Sequence, residues 1–132
     1  MKYLLDTHTL IWALTEPKRL SQRVRDILDS PYIQIVVSAV SFWEISMKYA
    51  KGKLILSGIT PQDIFHASRQ MGIEFLPLSA EVCASYHQFN ASYHKDPFDK
   101  MLLWIAKSEN FPFISNDQYV KLYQTEGILV VW

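Results

Sequence analysis

The chain has 132 residues, 49% of them apolar and 20% charged, which are ordinary proportions for one globular domain with a real core. Thirteen Lys and Arg balance thirteen Asp and Glu, so the formal net charge is zero; this argues against a sequence-independent nucleic-acid binder with a broad basic footprint, but not against a nuclease whose acids are offset by bound metal. The single cysteine, Cys83, excludes an internal disulfide framework and suits a reducing, cytoplasmic setting, and neither a signal peptide nor an apolar run of membrane-spanning length is present.

Residues 3–5 (Tyr-Leu-Leu) read as a short buried strand, stopped by Asp6 and followed over 7–14 by a helix with Leu10, Ile11 and Leu14 at helical spacing. Pro17 breaks that pattern, and Ser21 caps a second helix over 22–29. Residues 33–37 are β-branched and apolar, as expected of a central parallel strand covered on both faces. A helix over 40–51 follows and stops at Gly52. Residues 54–56 suggest a short extended piece. Thr60, Pro61 and Asp63 have the order of a helix start, and that helix runs to about Met71. A third strand is expected over 73–76, then a helix from Ser79 to about Ala91, a polar loop over 92–97 and a strongly helical stretch over 98–109. A fourth strand over 111–114 leads into Asn116 and Asp117, a short helix over 117–125 follows, and residues 128–132 form a last strand. Strands alternate with helices throughout, which predicts a single three-layer α/β domain over 1–132 with a mainly parallel sheet of about five strands.

In such a sheet the strand C-termini and the following helix N-termini share one edge, where open α/β sheets bind ligands. Asp6 follows the first strand, Glu44 lies in the first two turns after the second, Asp96 and Asp99 open the helix over 98–109, and Asp117 follows the fourth strand. Each alone is an ordinary capping or first-turn acid. Together on one edge they would repel, and a divalent cation removes that conflict. Hard carboxylate oxygens suit Mg²⁺ or Mn²⁺, so the residues by themselves point to an acidic metal site working on phosphate groups.

Other chemistry has less behind it. The four histidines lack the spacing of a zinc pair, though His8 and His94 lie nearest the acids and are candidate substrate contacts. No Gly-rich phosphate loop or Ser/His/Asp signature occurs. A phosphoaspartate phosphatase of the haloacid dehalogenase type would need an Asp two residues after Asp6, where His8 stands, and a receiver domain would need a Lys near Asn116. Phe42, Trp43 and Tyr49 are candidates for a subunit interface. Lys48, Lys51 and Lys53 follow Glu44 as a solvated face or as contacts to an RNA backbone, Lys48 being the nearest.

Four segments resemble PIN-domain proteins, specifically VapC-type toxins. Leu4-Leu5-Asp6-Thr7-His8-Thr9-Leu10-Ile11-Trp12 is similar to that family's opening, and Val37-Ser38-Ala39-Val40-Ser41-Phe42-Trp43-Glu44-Ile45 to its second segment. His94-Lys95-Asp96-Pro97-Phe98-Asp99-Lys100-Met101-Leu102 resembles its third, with Lys95 and Lys100 where Arg is common, and Phe113-Ile114-Ser115-Asn116-Asp117 its fourth, with Ser115 for Thr. The resemblance implies a PIN-like fold and an Mg²⁺- or Mn²⁺-dependent endoribonuclease. It implies Asp6, Glu44, Asp99 and Asp117 as the catalytic, metal-binding quartet, Asp96 as a further ligand or neighbour, and Ser115 as an orienting hydroxyl. It also implies a homodimer held inactive by a cognate VapB-like antitoxin. A PIN-fold module without catalysis, acting through RNA or protein contacts, is the alternative.

Overall fold

In the computed structural model, which describes residues 1–93 and 95–132, the centre of the sheet is β1 (Lys2–Leu5). Its Leu4 and Leu5 are fully buried and point to opposite faces, as successive strand residues must. On one side Lys2, Tyr3 and Leu4 stand in register with Gln34, Ile35 and Val36 of β2 (Gln34–Ser38). On the other side Leu4 and Leu5 pair with Phe113 and Ile114, which form β4 (Phe113–Ile114). The edges are β3 (Glu74–Leu76), beside β2, and β5 (Val130–Val131), beside β4; the order is β3-β2-β1-β4-β5 and every pairing is parallel. The expected mainly parallel sheet of about five strands is present. Its fourth strand is shorter than expected because Pro112 has no N–H to give to the ladder.

The helices are α1 (Thr7–Thr15), α2 (Gln22–Asp29), α3 (Ala39–Ala50), α4 (Pro61–Gln70), α5 (Ala80–Ser85), α6 (Pro97–Glu109) and α7 (Gln118–Lys121). One core layer joins Leu5, Val37 and Ile114 of the sheet to Leu10 of α1, Val24 of α2, Ile45 of α3 and Ile64 of α4. The other joins Leu4, Val36 and Phe113 to Val40 of α3, Leu102 and Leu103 of α6, Val120 of α7 and Tyr123. Helix α3 therefore contributes to both layers, with Val40 on one side and Ile45 on the other. No helix among the described residues is long and apolar enough to cross a membrane.

Three expectations need correction. The helix expected to reach Ala91 ends at Ser85, and Tyr86–Gln88 forms a 3₁₀ turn. The Val82 carbonyl, which would accept the next helical hydrogen bond, instead accepts from Trp104 Nε1 at 3.1 Å and from Ser85 Oγ at 3.2 Å. Tyr86 N–H turns to the Cys83 carbonyl, which tightens the turn. Residues 54–56 join no strand: Leu54 and Leu56 pack on the first core layer while Ile55 is 86% exposed. The helix over 117–125 divides into the four-residue α7 and the 3₁₀ turn Leu122–Glu126.

Candidate active site

Asp6 ends β1 and caps α1: its Oδ1 accepts the Thr9 N–H at 2.7 Å. The side chain is buried, and burial raises its carboxyl above the usual range. Hydrogen bonds from Ser115 and Thr9, with the His8 ring nearby, act in the opposite direction. Ser115 follows β4 and is fully buried; its Oγ also accepts the Asp117 N–H at 3.1 Å, so one hydroxyl ties two of the acids to the end of the sheet. Asp117 caps α7 through Oδ1, which accepts from Tyr119 N–H at 2.7 Å and Val120 N–H at 3.1 Å.

Asp96 caps α6 in the same way, its Oδ1 accepting from Phe98 N–H at 2.9 Å and Asp99 N–H at 3.2 Å. Pro97 at the first helical position suits this start. Asp99 is in the first turn, and its carboxyl is pushed up to about 8. Burial is the largest cause, and the charges of Asp96, Asp6, Glu44 and Asp117 add to it. Five acids drawn from α6, β1, α3 and the end of β4 are thus near enough to share one field.

Glu44 is carried by α3, which starts at the end of β2, where Ser38 Oγ accepts the Val40 N–H at 3.1 Å. It is only 2% exposed. Its Oε2 accepts a hydrogen bond from Lys48 Nζ, one turn along the helix. Its Oε1 is buried and accepts no hydrogen bond from the described residues. The Lys48 ammonium lies 4.0 Å from Asp96 Oδ2 and 5.6 Å from the centre of the Phe98 ring. Burial of Lys48 works against its charge, but Glu44 first, then Asp96 and Asp99, outweigh that and raise its pKa.

The arrangement fits a divalent cation in two respects. The donors are all hard carboxylate oxygens, and one of them, Glu44 Oε1, is buried with no partner. A cation among the acids would also favour the ionised form of Asp99, whose carboxyl is pushed up to about 8 by burial first and by its acidic neighbours second. Among the described residues no three such side chains already stand in a chelating geometry.

The structure therefore brings Asp6, Glu44, Asp96, Asp99, Asp117, Ser115 and Lys48 into one neighbourhood. His8 is exposed at its rim, lining a hollow of about 230 Å³ with Asp6, Thr9, Trp12, Asn116 and Asp117. His94 lies outside the described residues. Of the three aromatics considered for an interface, Phe42 is half-buried, its ring packed edge-on against Phe65 at 5.5 Å and Phe75 at 5.2 Å. Trp43 and Tyr49 remain exposed. Sequence reasoning missed Thr9, whose N–H donates to Asp6 and whose buried hydroxyl donates to the Ile114 carbonyl at 3.4 Å, and the buried pair Thr7 Oγ1 to Ser41 Oγ at 3.0 Å, which pins α1 to α3. The signal was present: Thr7, Thr9 and Ser41 are polar residues on the inward faces of helices that open at the acidic edge.

A family profile of the PIN domain matches residues 3–125. Ribonuclease VapC22 of Mycobacterium tuberculosis is 22% identical over 134 aligned positions, which cover 98% of this chain and 97% of that protein. Among solved structures, VapBC2 from Rickettsia felis bound to a DNA fragment from its promoter is similar with a TM-score of 0.70 and 17% identity, over 99% of this chain and 98% of that one. DNA-bound VapBC from Salmonella typhimurium is similar with a TM-score of 0.65 and 20% identity, over 99% and 97%. The structural likeness concerns the fold; the profile match spans nearly the whole sheet and every acid of the edge, and it establishes the chain as a member of the PIN-domain family.

Proposed function

We propose that this chain is an endoribonuclease toxin of a type II toxin–antitoxin pair, hydrolysing RNA phosphodiester bonds with Mg²⁺ or Mn²⁺ and neutralised by a cognate VapB-like antitoxin. The observation that carries the reading is the buried Glu44, with one oxygen unpartnered, beside an Asp99 whose carboxyl is pushed up to about 8 by burial and four acidic neighbours. A purely structural buried acid would be expected to pair both oxygens, whereas Glu44 Oε1 retains capacity for a cation. The name of the Mycobacterium relative, a ribonuclease, and the VapBC composition of the similar structures support the same reading.

Asp6, Glu44, Asp99 and Asp117 would hold the ion, with Asp96 beside them. When bound, such an ion supplies an activated water and offsets charge developing on the phosphodiester. The residues around it do the positioning. Ser115 and Thr9 fix the Asp6 carboxylate, and the α7 cap fixes Asp117. His8 at the rim and Lys48 beside Glu44 are the groups available to an RNA phosphate. Exposed Trp43 and Tyr49 on α3 offer aromatic area for a homodimer contact.

The test is cleavage of total cellular RNA by purified protein with and without Mn²⁺ or Mg²⁺, beside Asp6→Asn. Metal-dependent cuts at discrete sites, lost in Asp6→Asn while its circular dichroism stays native, are expected. Metal binding by a folded protein that cuts no RNA would replace this reading with a non-catalytic PIN-fold binding module.

A further inference from the structure

Glu44 and Lys48 are four residues apart on α3, a spacing that by itself brings two side chains together on any helix. The usual pair of this kind is solvated on both sides and contributes little. This one differs. Its acid is 2% exposed and its lysine 31%, and the ammonium reaches beyond α3 to the cap residue of α6, 4.0 Å from Asp96 Oδ2, over the Phe98 ring. One oxygen of Glu44 is therefore taken by an internal cation while the other is left buried without a partner.

A buried carboxylate with no counter-charge is costly, so in the metal-free chain Lys48 answers a need that the acids create. A divalent ion placed among the same acids answers the same need and repels the ammonium at a few ångströms. The lysine's stem is flexible and partly exposed, which gives its head a route from Glu44 towards solvent without movement of α3. We infer that Lys48 is the resident counter-ion of this acidic site, an internal competitor that a divalent cation must displace from Glu44, so that Lys48 sets the cation concentration at which the site loads. This inference rests on the reading of the acids as metal ligands. It makes the metal affinity of this chain weaker than its carboxylates alone would give.

The experiment is titration of the metal-stripped full chain with Mn²⁺ alone, following free Mn²⁺ by electron paramagnetic resonance, for wild type, Lys48→Met, Lys48→Gln and Lys48→Arg. Lys48→Met is expected to bind Mn²⁺ about fivefold more tightly or better, the lower end of ordinary coupling between two binding events. Lys48→Arg, which keeps the charge, stays within about twofold of wild type on the same scale. The rise in Tm on adding saturating Mn²⁺ is larger in Lys48→Met than in wild type. Lys48→Gln keeps a hydrogen-bond donor for Glu44 without the charge, and it replaces Lys48→Met if that variant does not fold; the same tightening is expected. A lysine with a merely structural role would lower Tm equally with and without Mn²⁺ and leave the affinity unchanged. Unchanged or weaker binding in the neutral variants, with wild type binding Mn²⁺ normally, overturns the inference and leaves the metal reading standing. Absence of Mn²⁺ binding in wild type and all variants overturns both.

Discussion

At the amino edge of the sheet, Met1, Lys2, Pro112, Ile128 and Leu129 line a hollow of about 460 Å³. At the carboxyl edge, Asp6, His8, Asn116 and Asp117 line one of about 230 Å³. The larger hollow carries little chemistry: its charged groups are Lys2 and Glu109, and Lys2 already pairs with Glu74 at 3.0 Å on an exposed surface. The smaller one opens beside five acids, four of them at helix caps or in a first turn and Glu44 in the second turn of α3. Volume is a by-product of where loops leave the sheet. Chemistry follows the direction of the strands, because in a parallel sheet the strand exits and helix N-termini, with their unpaired N–H groups, fall on the same edge.

The contrast is tested most strongly by function. Glu44→Gln should reduce metal-dependent RNA cleavage by about a thousandfold, equivalent to ~4 kcal/mol of transition-state stabilisation. Leu129→Ser in the amino-edge hollow, where the residue is 56% exposed, should leave the rate within about twofold, since surface changes away from a site are usually near neutral. Gel-resolved cleavage of one RNA substrate measures both. Equal losses at the two edges would remove the distinction.

Stability should not respect the contrast. Leu4 is fully buried at the centre of the sheet, in register with Val36 and Phe113, two residues before Asp6. Leu4→Ala should cost about 2–5 kcal/mol in urea denaturation, the ordinary range for a buried leucine. A loss below about 1 kcal/mol would mean that the second core layer relaxes around the cavity.

Much of this architecture is visible in the residues. The succession of strands and helices follows from hydrophobic period and punctuation, and the caps Asp6, Ser21, Thr60 and Ser79 stand where side-chain chemistry alone puts them. Thr60 and Asp63 complete a reciprocal capping box. At Asp6, Asp96 and Asp117 the capping reading does not exclude the site reading: each spends Oδ1 on backbone N–H groups, and that bond fixes the carboxylate at the edge. What the sequence concealed depends on distant partners. The end of α5 is decided by Trp104, 22 residues from the Val82 carbonyl it claims. Lys48 reads as one member of a solvated basic run, and only the packing of α6 against α3 places it between Glu44 and Asp96.

The pH dependence of the metal-free protein sharpens the contrast further. Asp99 has its carboxyl raised from 3.8 to about 8, so the folded chain holds that proton more tightly than the unfolded chain. Its contribution to stability is complete below the unfolded value and is lost as pH rises through about 8. Asp99→Asn removes this dependence. In melts of metal-stripped protein the variant should therefore gain on wild type progressively between about pH 4 and about pH 8. Saturating Mn²⁺ should reverse the ranking, because it stabilises the chain that retains the ligand. Parallel pH profiles for the two proteins would mean that neither burial nor the acidic neighbours raises the Asp99 carboxyl.

The smallest expected effect belongs to the amino edge. Asn110 closes α6 with φ 57°, ψ 42°, the left-handed conformation, and its N–H reaches back to the Ala106 and Lys107 carbonyls. Asparagine tolerates this geometry better than residues with an unhelpful Cβ, which lose roughly 1–2 kcal/mol there. Asn110→Ala should accordingly lower unfolding stability by about 1 kcal/mol in urea while leaving cleavage and Mn²⁺ affinity unchanged. The acids and the helix end lie at opposite ends of the same helix: α6 begins with Asp96 and Asp99 and finishes at Asn110. A shift in Mn²⁺ affinity on altering Asn110 would show that the helix transmits its C-terminal geometry to the acids, and the two edges would then have to be treated as one mechanical unit.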